Sequence, residues 1–170
     1  MPIPTILDDD LLGTSLADLI DLLAGNDRFE AKDGDDTVDG NEGNDTMIGG
    51  NGGDIMLGGG GNDTLNGNGG LDTMDGGLGD DLLNGGANPD TFVFGTVSND
   101  DTIDGFQNGL DVIDLSALAL GGFAALTAPG VITASGASST LIDLSLVGGN
   151  GTILLDGIAP GVVDATDFVF

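Results

Sequence analysis

The sequence predicts an all-β fold: a parallel β-roll, a β-helix-like solenoid of nonapeptide repeats, followed by a small antiparallel β cap at the C-terminal end. Three observations predict it. Aspartate recurs every nine residues at Asp27, Asp36, Asp45, Asp54, Asp63, Asp72, Asp81 and Asp90, and Asp9 and Asp18 extend the series backwards. Glycine stands two residues before it, at Gly25, Gly34, Gly43, Gly52, Gly61, Gly70 and Gly79, until Asn88 breaks the run. A large apolar residue stands two residues after it: Phe29, Val38, Met47, Met56, Leu65, Met74, Leu83 and Phe92. Turn chemistry alone would explain the Asp and Gly. It gives no reason to keep an apolar residue in phase.

Residues 1–23 read as a degenerate entry to the repeats. Asp18 and Ile20 keep the phase, but Leu16 occupies the glycine position. Residues 14–25 also fit a short helix, with Thr14 or Ser15 as N-cap and Leu16, Leu19, Ile20 and Leu23 as its apolar positions. A degenerate turn and a capping helix both stand as readings. Either would cover the open end of the repeat stack, which repeat proteins require.

Residues 24–95 form the repeat body. The best copies are GGNGGDIML (49–57), GGGGNDTLN (58–66) and GGLGDDLLN (76–84). Each unit alternates a Gly/Asp turn with a short strand whose middle residue points inward and whose flanks point out. So short a strand cannot bury a face alone. Successive repeats therefore go to opposite sides of a thin apolar core, in two parallel sheets. One coil takes two repeats, which puts Asp36 beneath Asp54 and Asp45 beneath Asp63.

Residues 96–170 change character. Glycine thins, and the segments TID (102–104), DVIDL (111–115), TLIDL (140–144) and TILL (152–155) alternate β-branched or apolar with polar residues. They predict antiparallel strands joined by Gly-rich turns such as 148–151. One short helical turn is expected within 116–126. Asp101 and Asp111 echo the repeat out of phase, so the body is expected to end near Gly95.

Composition narrows the function. Two basic residues, Arg28 and Lys32, face 29 acidic ones, for a formal charge of −27. That balance excludes a phosphate-tracking groove, so no nucleic-acid partner is expected, and an anionic membrane surface would repel the chain. Acids that alternate in phase with apolar residues point to bound cations rather than to a disordered acidic tail. With no Cys, His, Trp or Tyr, there is no disulfide, no ordinary zinc site, no Ser-His-Asp triad and no thiol nucleophile. A carboxylate pair of glycosidase type would need a cleft with aromatic platforms, for which only seven Phe are present. The chain is read as a non-enzyme. Its first residues, MPIPTILDDDLLG, lack the basic and long apolar regions of a signal peptide, and no apolar stretch is long enough for a membrane span.

The turns point to calcium, which takes six to eight oxygens in flexible geometry. Glycine allows the positive φ that aims successive carbonyls inward, and each Asp adds two hard anionic oxygens. The candidate ligands, turn by turn, begin with Gly25 and Asp27, Gly34 and Asp36, then Gly40, Gly43 and Asp45. They continue with Gly49, Gly50, Asn51, Gly52 and Asp54, then Gly58, Gly59, Gly60, Gly61 and Asp63. Gly67, Gly69, Gly70 and Asp72 follow, then Gly76, Gly77, Leu78, Gly79 and Asp81, and finally Gly85, Ala87 and Asp90. Leu22-Leu23 and Ala31-Lys32 replace paired glycines before Asp27 and Asp36, and Asn88-Pro89 alters the last turn. Asn41 and Asn68 are milder changes, because Asn tolerates positive φ. Sound sites are therefore expected between Gly40 and Asp90. Glycine order and stacked like charges both oppose folding, so metal binding and folding are expected to be one event.

The nonapeptide G-G-x-G-x-D-x-U-x resembles that of the RTX (repeats-in-toxin) calcium-binding β-roll. The resemblance implies ions held between turns of neighbouring coils. Carbonyls of the second and fourth turn residues come with the Asp from one coil, and those of the first and third with its Asp from the next. Gly50, Gly52 and Asp54 would thus face Gly67, Gly69 and Asp72, and Gly59, Gly61 and Asp63 would face Gly76, the Leu78 carbonyl and Asp81. Pairing turns in this way implies on the order of six Ca2+ ions.

The segments DTFVF (90–94) and DTIDGFQNGLDVIDLSAL (101–118), and the tail 142–170 ending in DFVF, resemble the C-terminal ends of serralysin-type and other type I secreted RTX proteins. This implies an export signal read by a type I secretion apparatus and an extracellular, bacterial location. The same tail also reads as a final strand that packs Phe168 and Phe170. Family enzymes carry a catalytic domain before the roll. The chain is therefore either free-standing or the C-terminal part of a larger exoprotein. The expected function is a secreted calcium-binding structural module that folds on calcium after export. The alternative is a carbohydrate-binding module, like those accompanying alginate epimerases, or an adhesin module. The two basic residues weigh against direct polyuronate binding. An ice-binding array of Thr37, Thr46, Thr64, Thr73 and Thr91 is interrupted by Ile55 and Leu82, and strand propensity explains these threonines.

Overall fold

A computed structural model describes residues 4–97, 99–128, 130–135, 138–159 and 161–170. Residues 1–3 of the expected N-terminal segment, and Pro160 of the tail, lie outside the described residues. The short strands stack into two sheets, because each has one inward side chain and needs neighbours on both sides to bury it. One sheet holds β1 (Asp10–Leu12), β3 (Arg28–Asp33), β5 (Thr46–Asn51), β7 (Thr64–Gly69), β9 (Leu82–Asn84), β11 (Asp100–Asp104), β15 (Thr152–Asp156), β14 (Ser139–Asp143) and β13 (Ile132–Ser135), in that spatial order. The other runs β16 (Phe168–Val169), β12 (Val112–Asp114), β10 (Thr91–Val93), β8 (Thr73–Leu78), β6 (Ile55–Gly60), β4 (Thr37–Asp39) and β2 (Leu19–Asp21).

Register follows the nonapeptide. Phe29, Met47, Leu65 and Leu83 lie side by side through β3, β5, β7 and β9. Val38, Met56, Met74 and Phe92 do the same through β4, β6, β8 and β10. All eight are buried and form one core between the sheets. A slip by one residue would turn this whole set outward, so the phase of the apolar residue fixes the stacking.

At the N-terminal end the chain takes the degenerate-turn alternative, not the helix. Ile20 and Leu22 are buried while Leu19 and Asp21 are exposed, which is a period of two, and Leu16, an apolar position of the helix reading, is exposed. The physical reason lies in the sheet edges. β3 and β4 present a row of backbone N–H and C=O groups, and β1 and β2 satisfy them by parallel pairing, which a helix cannot do.

Beyond Gly95 one expectation is corrected. The strands expected around 102–104 and 111–115 are parallel: β11 pairs β9, and β12 pairs β10. Ile103 and Ile113 stand two residues after Asp101 and Asp111, and they continue the stacks of Leu83 and Phe92. The coil lengthens from 18 residues to 20 and 21, and the turns absorb the extra residues. Among the described residues, antiparallel pairing joins β13 to β14 and β14 to β15, while β15 itself pairs with β11 in parallel. Short 3-10 turns at Ser116–Leu118 and Phe123–Ala125 occupy the segment where a helical turn was expected. The tail ends in β16, which pairs with β12. There Phe168 is buried and stacks on Phe170 with ring centroids 6.0 Å apart.

Ile113 joins the repeat stack to the tail, between Phe92 and Phe168, and has no exposed surface. Ile113→Ala is expected to cost about 2–4 kcal/mol, whereas Ile55→Ala, on the outer face and 45% exposed, should stay within about 0.5 kcal/mol. Denaturant titration of the calcium-saturated chain measures both. Equal losses would contradict the register.

Candidate metal centre

Two ladders of aspartate run along the two edges of the roll, where the turns join the sheets. On one edge the backbone N–H of Asp9 donates to Asp27 Oδ1 at 2.6 Å, Asp27 to Asp45 at 2.7 Å, Asp45 to Asp63 at 2.7 Å, and Asp63 to Asp81 at 2.8 Å. On the other, Asp18 donates to Asp36 at 2.6 Å, Asp36 to Asp54 at 2.9 Å, Asp54 to Asp72 at 2.8 Å, and Asp72 to Asp90 at 3.0 Å. The ladders continue through two residues outside the nine-residue phase: Asp81 N–H reaches Asp101 at 2.9 Å and Asp90 N–H reaches Asp111 at 3.1 Å. The sequence reading left Asp101 and Asp111 out. The signal that finds them is the Asp-x-Ile triplet, which survives although the spacing does not.

The second carboxylate oxygen is the informative one. In Asp27, Asp36, Asp45, Asp54, Asp63, Asp72, Asp81 and Asp90, Oδ2 is buried and no protein group donates to it. A buried acceptor without a donor is costly, and a charged one more so. The first glycine of each regular turn lies against this oxygen. A Cβ built on Gly40 would sit 2.5 Å from both Asp45 Oδ2 and the carbonyl oxygen of Gly58, one coil further on. On Gly49 it would meet Asp54 Oδ2 and lie 3.0 Å from the Gly67 carbonyl. Glycine therefore keeps a carboxylate oxygen and a carbonyl of the next coil in one cradle, which a side chain would fill.

Some of the expected groups lie against one another across coils. Gly52 N–H donates to the Gly69 carbonyl at 2.9 Å, beside the Asp54–Asp72 contact. Gly61 N–H donates to the Leu78 carbonyl at 2.8 Å, beside Asp63–Asp81. Gly43 and Gly60 meet at 2.7 Å, Gly34 and Asn51 at 2.8 Å, and Gly70 and Ala87 at 3.4 Å. The second turn residues Gly50, Gly59, Gly77 and Gly86 are left-handed, and so are Asn41 and Asn68. Leu23 at φ 75° and Lys32 at φ 88° take the same conformation, at a cost of about 1–2 kcal/mol each. The turns before Asp27 and Asp36 therefore have the shape of the regular ones despite their side chains.

Burial raises the carboxyls of Asp27, Asp36, Asp45, Asp54, Asp63, Asp72, Asp81, Asp90, Asp101 and Asp111 above their usual range. The N–H bond from the coil below partly offsets this, and neighbouring carboxylates add to it. Asp54 is pushed up to about 6, with Asp72 and Asp36 contributing, and Asp90 to about 6, with Asp72 and Asp111 contributing. Asp63 rises to about 7 beside Asp81 and Asp45, and Asp101 to about 7 beside Asp81 and Asp80. Neither basic residue relieves the ladders. Arg28 pairs with Asp10 and Glu30 at 3.4 and 3.5 Å on the surface, and Lys32 Nζ donates to the Gly13 carbonyl at 3.0 Å.

These donors fit calcium. Among the described residues no three acidic side chains converge on one point, so each ion would take carboxylates from two coils and complete its shell with backbone carbonyls. An all-oxygen set of this kind suits a hard cation with a large, flexible shell.

A further ladder escaped the sequence reading. At the position just before Asp on one edge, Asn26 N–H donates to Asp8 Oδ1, Asn44 to Asn26, Asn62 to Asn44, Asp80 to Asn62 and Asp100 to Asp80, at 2.8–3.1 Å.

Comparison with known proteins agrees with this geometry. Residues 23–56 and 57–92 each match the family model of the RTX calcium-binding nonapeptide repeat (4 copies), and this part of the chain is an RTX β-roll. No curated protein matches the chain in sequence. Among solved structures, the chain is similar to the AlgE6R3 subunit from the Azotobacter vinelandii mannuronan C5-epimerase, at TM-score 0.51 and 23% identity over 99% of this chain and 81% of that one. The AlgE6R2 subunit of the same source gives TM-score 0.49 and 23% identity, over 94% and 91%. The extracellular lipase LipA from Serratia marcescens gives 0.45 and 17%, over 99% and 39%. The first likeness shows the fold alone.

A pH dependence follows from the raised carboxyls. Protons bind the folded, calcium-free roll more tightly than the unfolded chain, so their stabilisation is complete below about pH 4 and is lost as pH rises through about 6 to 7. In chelator, circular dichroism is expected to show more β-structure at pH 4.5 than at pH 7.5. The calcium midpoint should move to higher concentration as pH falls below about 6, because protons compete for the same oxygens. Identical chelator spectra at the two pH values would contradict this.

Proposed function

We propose that this chain is a secreted calcium-binding structural module, exported unfolded from a bacterial cell and folded by calcium outside it. The observation that carries the reading is the row of eight buried aspartate oxygens to which no protein group donates. Facing turns would hold the ions: Asp27 with Asp45, Asp45 with Asp63 and Asp63 with Asp81 on one edge, and Asp36 with Asp54, Asp54 with Asp72 and Asp72 with Asp90 on the other. This supports on the order of six ions. A bound ion supplies the positive charge that lets stacked carboxylates stay ionised. The chain's own part is to hold those oxygens in place, through the glycine turns and the parallel register.

The coupling to folding has a physical basis. A chain of charge −27 repels itself when compact, and its core is one side chain deep on each side. A site of roughly 10⁻⁴ M affinity contributes about 2.7 kcal/mol at about 10 mM calcium, and several such sites act on one cooperative stack. Where calcium is scarce, as in a cytosol, the chain would stay unfolded and fit for passage through a type I secretion channel.

The tail supports the export part of the reading, through its resemblance at 142–170. It is also built into the fold: Asp164 caps the short turn Ala165–Asp167, and β16 follows on the sheet. A polyuronate-binding role finds little support, because Arg28 is already engaged by Asp10 and Glu30.

Circular dichroism in chelator against millimolar calcium, at neutral pH and low salt, tests the folding claim. The expected result is a disordered spectrum that turns β-rich with calcium. A chain already folded in chelator would sink it. The export claim predicts that deleting residues 142–170 abolishes secretion from a host carrying a type I transporter. Undiminished secretion would leave only the calcium module.

A further inference from the structure

Among the turns whose residues are all described, two kinds stand apart, and the second turn residue separates them. In the eight turns that end at Asp27 through Asp90, this residue (Leu23, Lys32, Asn41, Gly50, Gly59, Asn68, Gly77 or Gly86) is left-handed, and the aspartate Oδ2 has no protein donor. Three other turns behave differently. Thr5 N–H donates to Asp9 Oδ2 at 2.6 Å, Thr14 N–H to Asp18 Oδ2 at 2.7 Å, and Gln107 N–H to Asp111 Oδ2 at 2.7 Å. Thr5, Thr14 and Gln107 are not left-handed.

The backbone explains the correlation. A left-handed residue turns its N–H away from the carboxylate that follows it. Leu23 N–H goes instead to Asp21 Oδ1 at 3.1 Å, and Asn41 N–H to Asp39 Oδ1 at 3.2 Å, on the outer face of the preceding strand. In an ordinary conformation the N–H points into the turn and closes on its own Asp. At Gln107 the closure is reinforced, because the side-chain amide also donates to the Gly86 carbonyl in the coil below. An amide and a backbone N–H thus take up oxygens which, in a regular turn, are left to other partners.

We propose that the conformation of the second turn residue decides whether a turn takes a cation, and that self-closed turns at Asp9, Asp18 and Asp111 end the cation array without metal. The inference rests on the calcium reading above. It assigns Leu23 and Lys32 a role, because their left-handed strain keeps the first two turns of the array open. It also explains why the array stops at Asp90 on its edge, although Asp111 continues the hydrogen-bonded ladder.

Equilibrium dialysis of the full chain at saturating calcium counts bound ions, with circular dichroism confirming that each variant is folded. Asp18→Asn and Asp111→Asn are expected to bind as many ions as the parent, and Asp27→Asn about one fewer. Leu23→Thr keeps every carboxylate but favours a closed turn, and it too should lose about one ion. Gln107→Gly should gain about one. Losses in Asp18→Asn and Asp111→Asn equal to that in Asp27→Asn, or unchanged counts in both Leu23→Thr and Gln107→Gly, would overturn the proposal alone. A parent chain that binds no calcium would overturn the calcium reading and the proposal together.

Discussion

Carboxylates stacked one coil apart set the terms for the rest of this structure. Each ladder aspartate gives one oxygen to the N–H of the coil below, and that bond fixes the distance between coils. It also brings like charges together in a buried edge. Unscreened repulsion at such spacings reaches several kcal/mol per pair at an effective dielectric near 20. That charge opposes the roll unless something answers it. Protons would do so at low pH, the direction in which burial pushes these carboxyls, and cations would do so at neutral pH.

The sheets are arranged around this demand. A parallel sheet is ordinarily covered on both faces, but here the outer face meets solvent, and the inner face contributes one large side chain per strand. The thin core allows the two turns of every coil to lie at opposite edges, clear of each other. It also makes each buried residue matter for register more than for bulk. Met47, Met56 and Met74 suit such a core, because an unbranched side chain can adapt to its stacked neighbours.

Much of this was legible in the sequence, for a physical reason: one spacing encodes both the turn and the strand. Asp marks the ladder, the residue two before it marks positive φ, and the residue two after it marks the inward face. Reading failed where geometry and spacing part company. β11 and β12 keep the inward Ile103 and Ile113 but follow lengthened turns, so a strict period of nine misses the coil that these two strands form. Leu23 and Lys32 look unfit for a turn that glycine dominates, yet both adopt the left-handed conformation. Residue type biases φ without deciding it. The stacked hydrogen bonds of the coil above, such as Glu42 N–H to the Leu23 carbonyl, hold Leu23 in place. Nor could spacing alone separate Asp18 from Asp27, since the difference lies in where one N–H points.

The asparagine ladder shows the same logic from the other side. Asn26, Asn44 and Asn62 make a similar bond at the adjacent turn position but in the opposite sense: each Oδ1 accepts from the N–H of the next coil, whereas each aspartate Oδ1 accepts from the coil below. They are neutral, and acids take over only toward the ends, at Asp8, Asp80 and Asp100. A carboxylate in the middle of this ladder would accept the same bond but add charge beside an edge already crowded with it. An amide gives the register without the charge. The opposite edge has Asp35, Gly53 and Leu71 at these positions, and only Gly53 N–H to Asp35 Oδ1 repeats the bond. The two edges are therefore unequal. One is held by two ladders, the second of them neutral through Asn26, Asn44 and Asn62, and the other has a single such bond beside its aspartates. Any ordering of the roll that precedes full cation binding should begin on the asparagine edge, because there each stacked coil adds a neutral side-chain hydrogen bond that the other edge lacks.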